Sequence, residues 1–253
     1  MCIRDRAKNL AALPGLEDLS LSTNATRLAK NARALKASGI SRINVSLDTL
    51  DPIKFKKITQ GKLEKIIDGL MAAKKAGISP IKINMVIMKG VNDDDVEDMV
   101  NFCMENKFIL RFIETMPVGD SGRNAVDYFI DLHDIETRLG EKFDLIPTVM
   151  PGAGAGPARY VQVSGTDFII GFITPISQHF CDTCNRVRMV ADGTLYMCLG
   201  DEHKFELRPM LRAGITDDEL DHVIRDAINM KPLKHEFNEK PEKVIRFMSM
   251  TGG

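Results

Sequence analysis

The sequence predicts an α/β fold with a largely parallel sheet, of the β/α-barrel kind, on three observations. Short apolar runs alternate with helix-period runs from Leu10 to about Met116. Asp, Asn, Ser or Gly stand at the joints, where helices are capped or closed. Polar residues interrupt neighbouring strands, as they do when a sheet curves around a polar interior.

The first strand reads at Asp18–Ser22 (DLSLS) and leads to a helix over Thr26–Ala37. A second strand, Arg42–Leu47 (RINVSL), is followed by a short helix from Pro52 and a longer one over Leu63–Ala76. The third strand is Ile81–Met88 (IKINMVIM), then a helix over Asp94–Asn106, then a fourth strand at Leu110–Met116 (LRFIETM). Alternation of this kind gives parallel strands joined by right-handed crossovers. Lys82 and Asn84 share one face of the third strand and Arg111 interrupts the fourth. One such residue would be a snorkelling side chain, but two in neighbouring strands favour a polar barrel interior. In β/α barrels chemistry sits at the carboxyl ends of the strands, which here carry Ser22, Ser46 and Met116. Taken singly, Ser22 and Ser46 would also serve as helix caps and Met116 as core filler.

Past Met116 the character changes. MPVGDSGRNA is turn-rich, DLHDIETRLGEKF is helical, and VQVSGTDFIIGFITPI holds strands. PGAGAGPARY is glycine-rich but lacks the Gly-Lys-Ser/Thr of a phosphate-binding loop. Helical patterns near Glu206–Ala213 and Asp217–Ile228 precede the closing VIRFMSMTGG. Residues 7–120 are therefore expected to form barrel and 121–253 a C-terminal α+β region. MCIRDR joins abruptly onto KNLAAL and looks like translated sequencing adapter, so residues 1–6 are set aside.

The chain has 253 residues, 44% of them hydrophobic, enough for one large α/β domain with an appendage. With 34 Lys and Arg against 35 Asp and Glu, nothing recommends duplex nucleic acid as a partner. No long apolar run or secretory signal suggests membrane or export, and five unevenly placed cysteines suit a reducing cytoplasm better than a disulfide framework. Cys103, within VEDMVNFCMENK, reads as a core thiol.

The other informative cysteines are Cys181, Cys184 and Cys198, a C-x2-C-x13-C set. A tight turn and a returning hairpin give three corners of a tetrahedron and leave the fourth open. Spacing alone serves zinc or iron–sulfur, and His179 could close a structural zinc site. Arg186-Val187-Arg188 tips the reading, since alternation puts both guanidiniums on one strand face beside the metal, where they suit an anionic ligand.

CDTCNRVRMVADGTLYMCLG, together with INVSLDTLD, IKINMVIMKGVND, LRFIETMPVG, GPARY and the final SMTGG, closely resembles the GTP 3',8-cyclases of molybdenum cofactor biosynthesis, a family of radical S-adenosylmethionine lyases. The resemblance runs from about Lys8 to Gly253. It implies an incomplete six-stranded TIM-type barrel and two [4Fe-4S] clusters. The N-terminal cluster, on C-x3-C-x2-C, would cleave S-adenosylmethionine to a radical that attacks the GTP ribose. The C-terminal one, on Cys181, Cys184 and Cys198, would hold the guanine.

By position the resemblance makes Ser22, Lys82, Arg186, Val187 and Arg188 GTP contacts, although Ser22 stands where a threonine is more usual. Ser46 and Met116 become S-adenosylmethionine contacts, and Arg111 a basic residue of the substrate cavity. Arg186, Arg188 and Arg111 are the catalytic candidates. Gly252 and Gly253 form a tail thin enough to enter a closed site. A homodimer is left open.

One part of the pattern is missing, because no C-x3-C-x2-C occurs in the sequence. The expectation is a barrel lacking its first strands, from a parent cyclase, and inactive alone. Two other readings survive: an inert metal-containing guanine-nucleotide-binding module, and a different radical S-adenosylmethionine enzyme with an accessory cluster.

Overall fold

The computed structural model describes residues 3–118, 124–150, 156–178, 180–237, 239, 244, 246 and 248–250. The elements run α1 (Ile3–Ala11), β1 (Ser20–Thr23), α2 (Leu28–Ala37), β2 (Arg42–Ser46), α3 (Pro52–Thr59), α4 (Leu63–Lys75), β3 (Ile81–Ile87), α5 (Val96–Asn106) and β4 (Ile109–Glu114). They continue with α6 (Leu132–Gly140), β5 (Leu145–Thr148), β6 (Arg159–Val163), β7 (Ile169–Ile173), β8 (Arg188–Met189), β9 (Thr194–Tyr196), β10 (Lys204–Glu206), α7 (Arg208–Ala213) and α8 (Asp217–Asn229).

Two compact units result. The first comprises Met1–Glu114, Ile130–Pro151 and Ala158–Ile173, and the second Thr115–Phe129, Gly152–Pro157 and Thr174–Gly253. The first unit holds a seven-stranded sheet ordered β1-β2-β3-β4-β7-β6-β5. β1 to β4 and β7 are parallel, and β6 and β5 continue the sheet antiparallel. The sheet therefore runs past residue 120, where the sequence suggested a boundary, because β7 returns to pair with β4.

Residues alternate across the strands as a two-residue period requires. Ile43, Val45, Ile83, Met85, Leu110 and Phe112 form one buried face and belong to a single apolar cluster with Leu28, Ile66, Leu70 and Met99 of the helices. Replacing a wholly buried ring such as Phe112 by Ala costs about 3–5 kcal/mol. The opposite face carries the polar residues.

The helices start and stop for local reasons. Asp51 caps α3, accepting from the Ile53 and Lys54 N–H groups, with Pro52 in the first turn. Thr216 and Glu219 form a capping box on α8. The helix expected from Thr26 begins at Leu28, since the Asn24 side chain accepts from the Thr26 N–H and hydroxyl and holds a turn there. β4 ends at Glu114 rather than Met116, just ahead of Pro117, where the residue before a proline leaves regular structure. The helix expected over Glu206–Ala213 opens at Arg208, and Lys204–Glu206 pairs instead with β9. Ile3–Arg6, within the stretch set aside, form the first turn of α1, whose Ala7 is buried.

The second unit contains a three-stranded antiparallel sheet, β10-β9-β8, with α7 and α8. Leu195, Met197, Leu207 and Ala227 make its small core.

Candidate functional site: a polar barrel face and a cysteine hairpin

The polar face of the first unit is built by register. Ser22 lies opposite Asn44, Asn44 opposite Lys82, Asn84 opposite Arg111, and Arg111 opposite Gly171. Arg111 is held by two amides: its Nε donates to Asn84 Oδ1 at 2.8 Å and its Nη2 to Asn44 Oδ1 at 2.8 Å. Asn44 Nδ2 in turn donates to Ser22 Oγ at 3.3 Å. The guanidinium also meets the Tyr160 side chain of β6. Gly171 makes room for this, since a Cβ there would stand 2.8 Å from Tyr160 Cε1 and 3.0 Å from Arg111 Cγ.

Lys82 is buried on the same face. Burial first, then the like charges of Arg111 and Arg42, bring its ammonium down to about 8, against some help from Asp18. Among the described residues no carboxylate forms an ion pair with this ammonium, which leaves it receptive to an anion. The structure thus brings Ser22, Lys82 and Arg111 together. Ser46, at the carboxyl end of β2, is exposed.

Asp48 and Asn92 stand at the carboxyl ends of β2 and β3, where the sequence placed the chemistry without giving either residue a role. Burial pushes the Asp48 carboxyl up to about 6, although its Oδ1 accepts the Val86 N–H. Asn92, wholly buried, accepts the Met88 N–H and donates to the Asp48 and Val86 carbonyls, so it ties together the loops after β2 and β3. Both look like ordinary loop residues in sequence. Tyr160 was missed because its link to Arg111 rests on the β4–β7–β6 pairing.

In the second unit Met116 is partly buried against Val118, Phe237 and Val244. Its neighbours Thr115 and Pro117 line an apolar cavity of about 290 Å³ with Ala125 and Ile176.

The cysteine segment forms a hairpin. Cys181–Thr183 is a single 3-10 turn closed by the Cys184 N–H on the Cys181 carbonyl at 3.0 Å. Arg186 and Arg188 are half-buried and Val187 is exposed, the alternation expected of extended chain, although the strand itself, β8, begins only at Arg188. Arg186 Nη2 reaches Cys184 Sγ at 3.5 Å and its guanidinium lies 5.1 Å from the Phe180 ring centre. Burial alone would raise the Cys184 thiol, but the Arg186 N–H and guanidinium, with Lys231, outweigh it and bring the thiol below its ordinary value. Burial raises Cys198, and the charges of Cys181 and Cys184 add to the rise against the Gly200 N–H and Lys231.

Among the described residues no three His, Cys, Asp or Glu side chains converge tightly enough to hold a metal ion. His179, the fourth ligand of the zinc alternative, lies outside the described residues, as do Gly252 and Gly253. The donor chemistry still fits an iron–sulfur cluster. The three cysteines are free thiols, Arg186 brings the Cys184 thiol below its ordinary value, and the three sit close enough for Cys181 and Cys184 to raise Cys198. Cys103 is a core thiol, fully buried and pushed up by that burial.

A largely parallel α/β sheet with a basic, polar face, joined in one chain to a C-x2-C-x13-C hairpin carrying two arginines, sets the class of this protein. Two family profiles match: radical SAM superfamily over residues 3–103 and Molybdenum Cofactor Synthesis C over residues 108–237. The first opens within the stretch set aside as adapter.

Among relatives, the GTP 3',8-cyclase of Hydrogenovibrio crunogenus is 47% identical over 94% of this chain and 73% of its own length. The GTP 3',8-cyclase of Paracoccus denitrificans is 44% identical over 99% of this chain and 73% of its own. GTP 3',8-cyclase 1 of Pseudomonas aeruginosa is 42% identical over 97% and 75%. The chain belongs to the GTP 3',8-cyclase family.

Proposed function

We propose that this chain handles the substrates of the GTP 3',8-cyclase reaction, the lyase step that turns GTP into (8S)-3',8-cyclo-7,8-dihydroguanosine 5'-triphosphate at the start of molybdenum cofactor biosynthesis. The observation that carries this reading is the hairpin that sets Arg186 beside Cys184, with Arg186 and Arg188 both half-buried and Val187 between them exposed. Cys181, Cys184 and Cys198 would hold a [4Fe-4S] cluster, which supplies an iron with one open position to the guanine. Arg186 and Arg188 pair with phosphate as forks, with the Val187 backbone between them.

On the barrel face Lys82 contributes a compact charge and Ser22 a hydroxyl to GTP, while Arg111, fixed by Asn44 and Asn84, presents a guanidinium whose direction is set before substrate arrives. Ser46 and Met116 take S-adenosylmethionine, the first through an exposed hydroxyl and the second beside the apolar cavity. Gly252 and Gly253 remain in this reading as a tail without side chains. The sequence contains no C-x3-C-x2-C, so these residues are read as the substrate side of the reaction.

No described helix is long and apolar enough to cross a membrane. A cytoplasmic location is part of the reading, supported by the free thiols, and so is a homodimer, which sedimentation of the loaded protein tests. Anaerobic reconstitution with iron and sulfide should yield a brown protein with a single [4Fe-4S] per chain. A zinc ion in its place, released by His179→Ser, would sink the reading.

A further inference from the structure

The segment that delivers the third cysteine leaves β9 at Tyr196, and its backbone carbonyls need donors that a sheet no longer provides. Two basic side chains supply them. Lys231, just after α8, donates from Nζ to the Met197 carbonyl at 2.7 Å and to the Arg186 carbonyl at 2.8 Å. Arg246, buried, donates to the carbonyls of Cys198, Leu199 and Asp201 at 2.6–2.7 Å, and its guanidinium lies 4.4 Å from the Tyr196 ring centre.

The two cations differ in what balances them. Arg246 forms an ion pair with Glu202 at 2.8 Å, so its charge is answered locally and its work is to hold the turn. Lys231 meets no carboxylate within ion-pair distance among the described residues. Its hydrogen bonds place that charge on the backbone next to Cys198 and two residues from Cys184. It thereby grips both arms of the hairpin. A neutral donor would satisfy the same carbonyls, but it would not stabilise an anionic cluster.

We propose that Lys231 is a positioning residue of the cysteine site: its ammonium fixes the spacing of the two hairpin arms and places an unanswered positive charge against the cluster they bind. The inference rests on the reading of Cys181, Cys184 and Cys198 as cluster ligands. Removing the charge should favour the oxidised cluster, because reduction adds a negative charge.

The test compares the reconstituted wild-type chain with Lys231→Met, Lys231→Gln and Lys231→Arg. The measurements are the midpoint potential, the rate of cluster loss to an iron chelator, and hydrogen exchange of the metal-free protein. Lys231→Met should lower the potential and lose cluster about tenfold faster, the scale of one charged hydrogen bond. It should also speed exchange at the hairpin in the metal-free chain. Lys231→Arg should recover the potential. Lys231→Gln, which keeps a donor without charge, should recover exchange but not potential. A Lys231→Met or Lys231→Gln protein with wild-type potential would overturn the proposal even if its melting temperature fell, because a purely structural lysine predicts that outcome. Failure of the wild-type chain to take up a cluster would instead remove the ligand reading on which the proposal rests.

Discussion

The barrel face and the cysteine hairpin hold their functional side chains in opposite ways. On the barrel face, Lys82 and Arg111 project from long parallel strands whose other side is packed in the main apolar cluster, and Arg111 is locked by two amides. The hairpin has strands of two and three residues, a small core, and a third cysteine whose backbone is secured by lysine and arginine side chains. The first is built by folding alone. The second is held by charge contacts to its backbone, and in the proposed reading a bound cluster would finish it, as expected where ligand binding supplies part of the folding free energy.

The largest test of that contrast is Cys198→Ser. Removing one of three thiolates should abolish stable cluster binding, read as iron retained after desalting, while β1–β4 and β7 keep their circular dichroism and thermal transition. Next in size is Arg186→Ala or Arg188→Ala. Each removes a charge-assisted contact worth about 1.5–3 kcal/mol and should weaken GTP binding by one to two orders of magnitude without releasing the cluster. Unchanged binding in both variants would remove the arginines from the site.

Gly171→Ala probes the barrel side. Its Cβ would press on Tyr160 and Arg111, so the variant should lose about 1–3 kcal/mol in denaturant unfolding and displace the arginine. Retention of full stability would show that the locked arrangement has slack.

The smallest effect is a pH dependence set by Lys82. The unfolded chain keeps this proton up to its ordinary value of 10.5, whereas the folded chain gives it up near 8. Between those values the unfolded state binds more protons, so this lysine makes stability rise with pH across that window. Phosphate affinity should fall over the same range as the charge is lost. Lys82→Met should flatten both trends, and a pH profile identical to wild type would contradict the assignment.

Much of the barrel was legible because apolar residues at a two-residue period specify strands, and a lysine or arginine breaking that period marks a polar interior. Lys82 and Arg111 were readable for this reason, as were the cysteines and Arg186 and Arg188 from spacing. Tyr160 was not, since its place beside Arg111 depends on β7 returning to pair with β4 across a long stretch of chain. Lys231 and Arg246 carried no pattern either. They act on backbone carbonyls, and carbonyls leave no trace in sequence. Strand and helix ends moved where side chains compete with the backbone, as at Asn24, or where a proline follows, as at Pro117.

Hydrogen exchange on the metal-free and the anaerobically reconstituted chain, followed peptide by peptide, separates the two regions most directly. Protection over residues 181–200 should be partial in the metal-free chain and rise clearly when the cluster is bound, while peptides from β2, β3 and β4 exchange equally slowly in both states. Slow exchange over 181–200 without metal, or no gain on reconstitution, would contradict the claim that the hairpin is completed by its ligand.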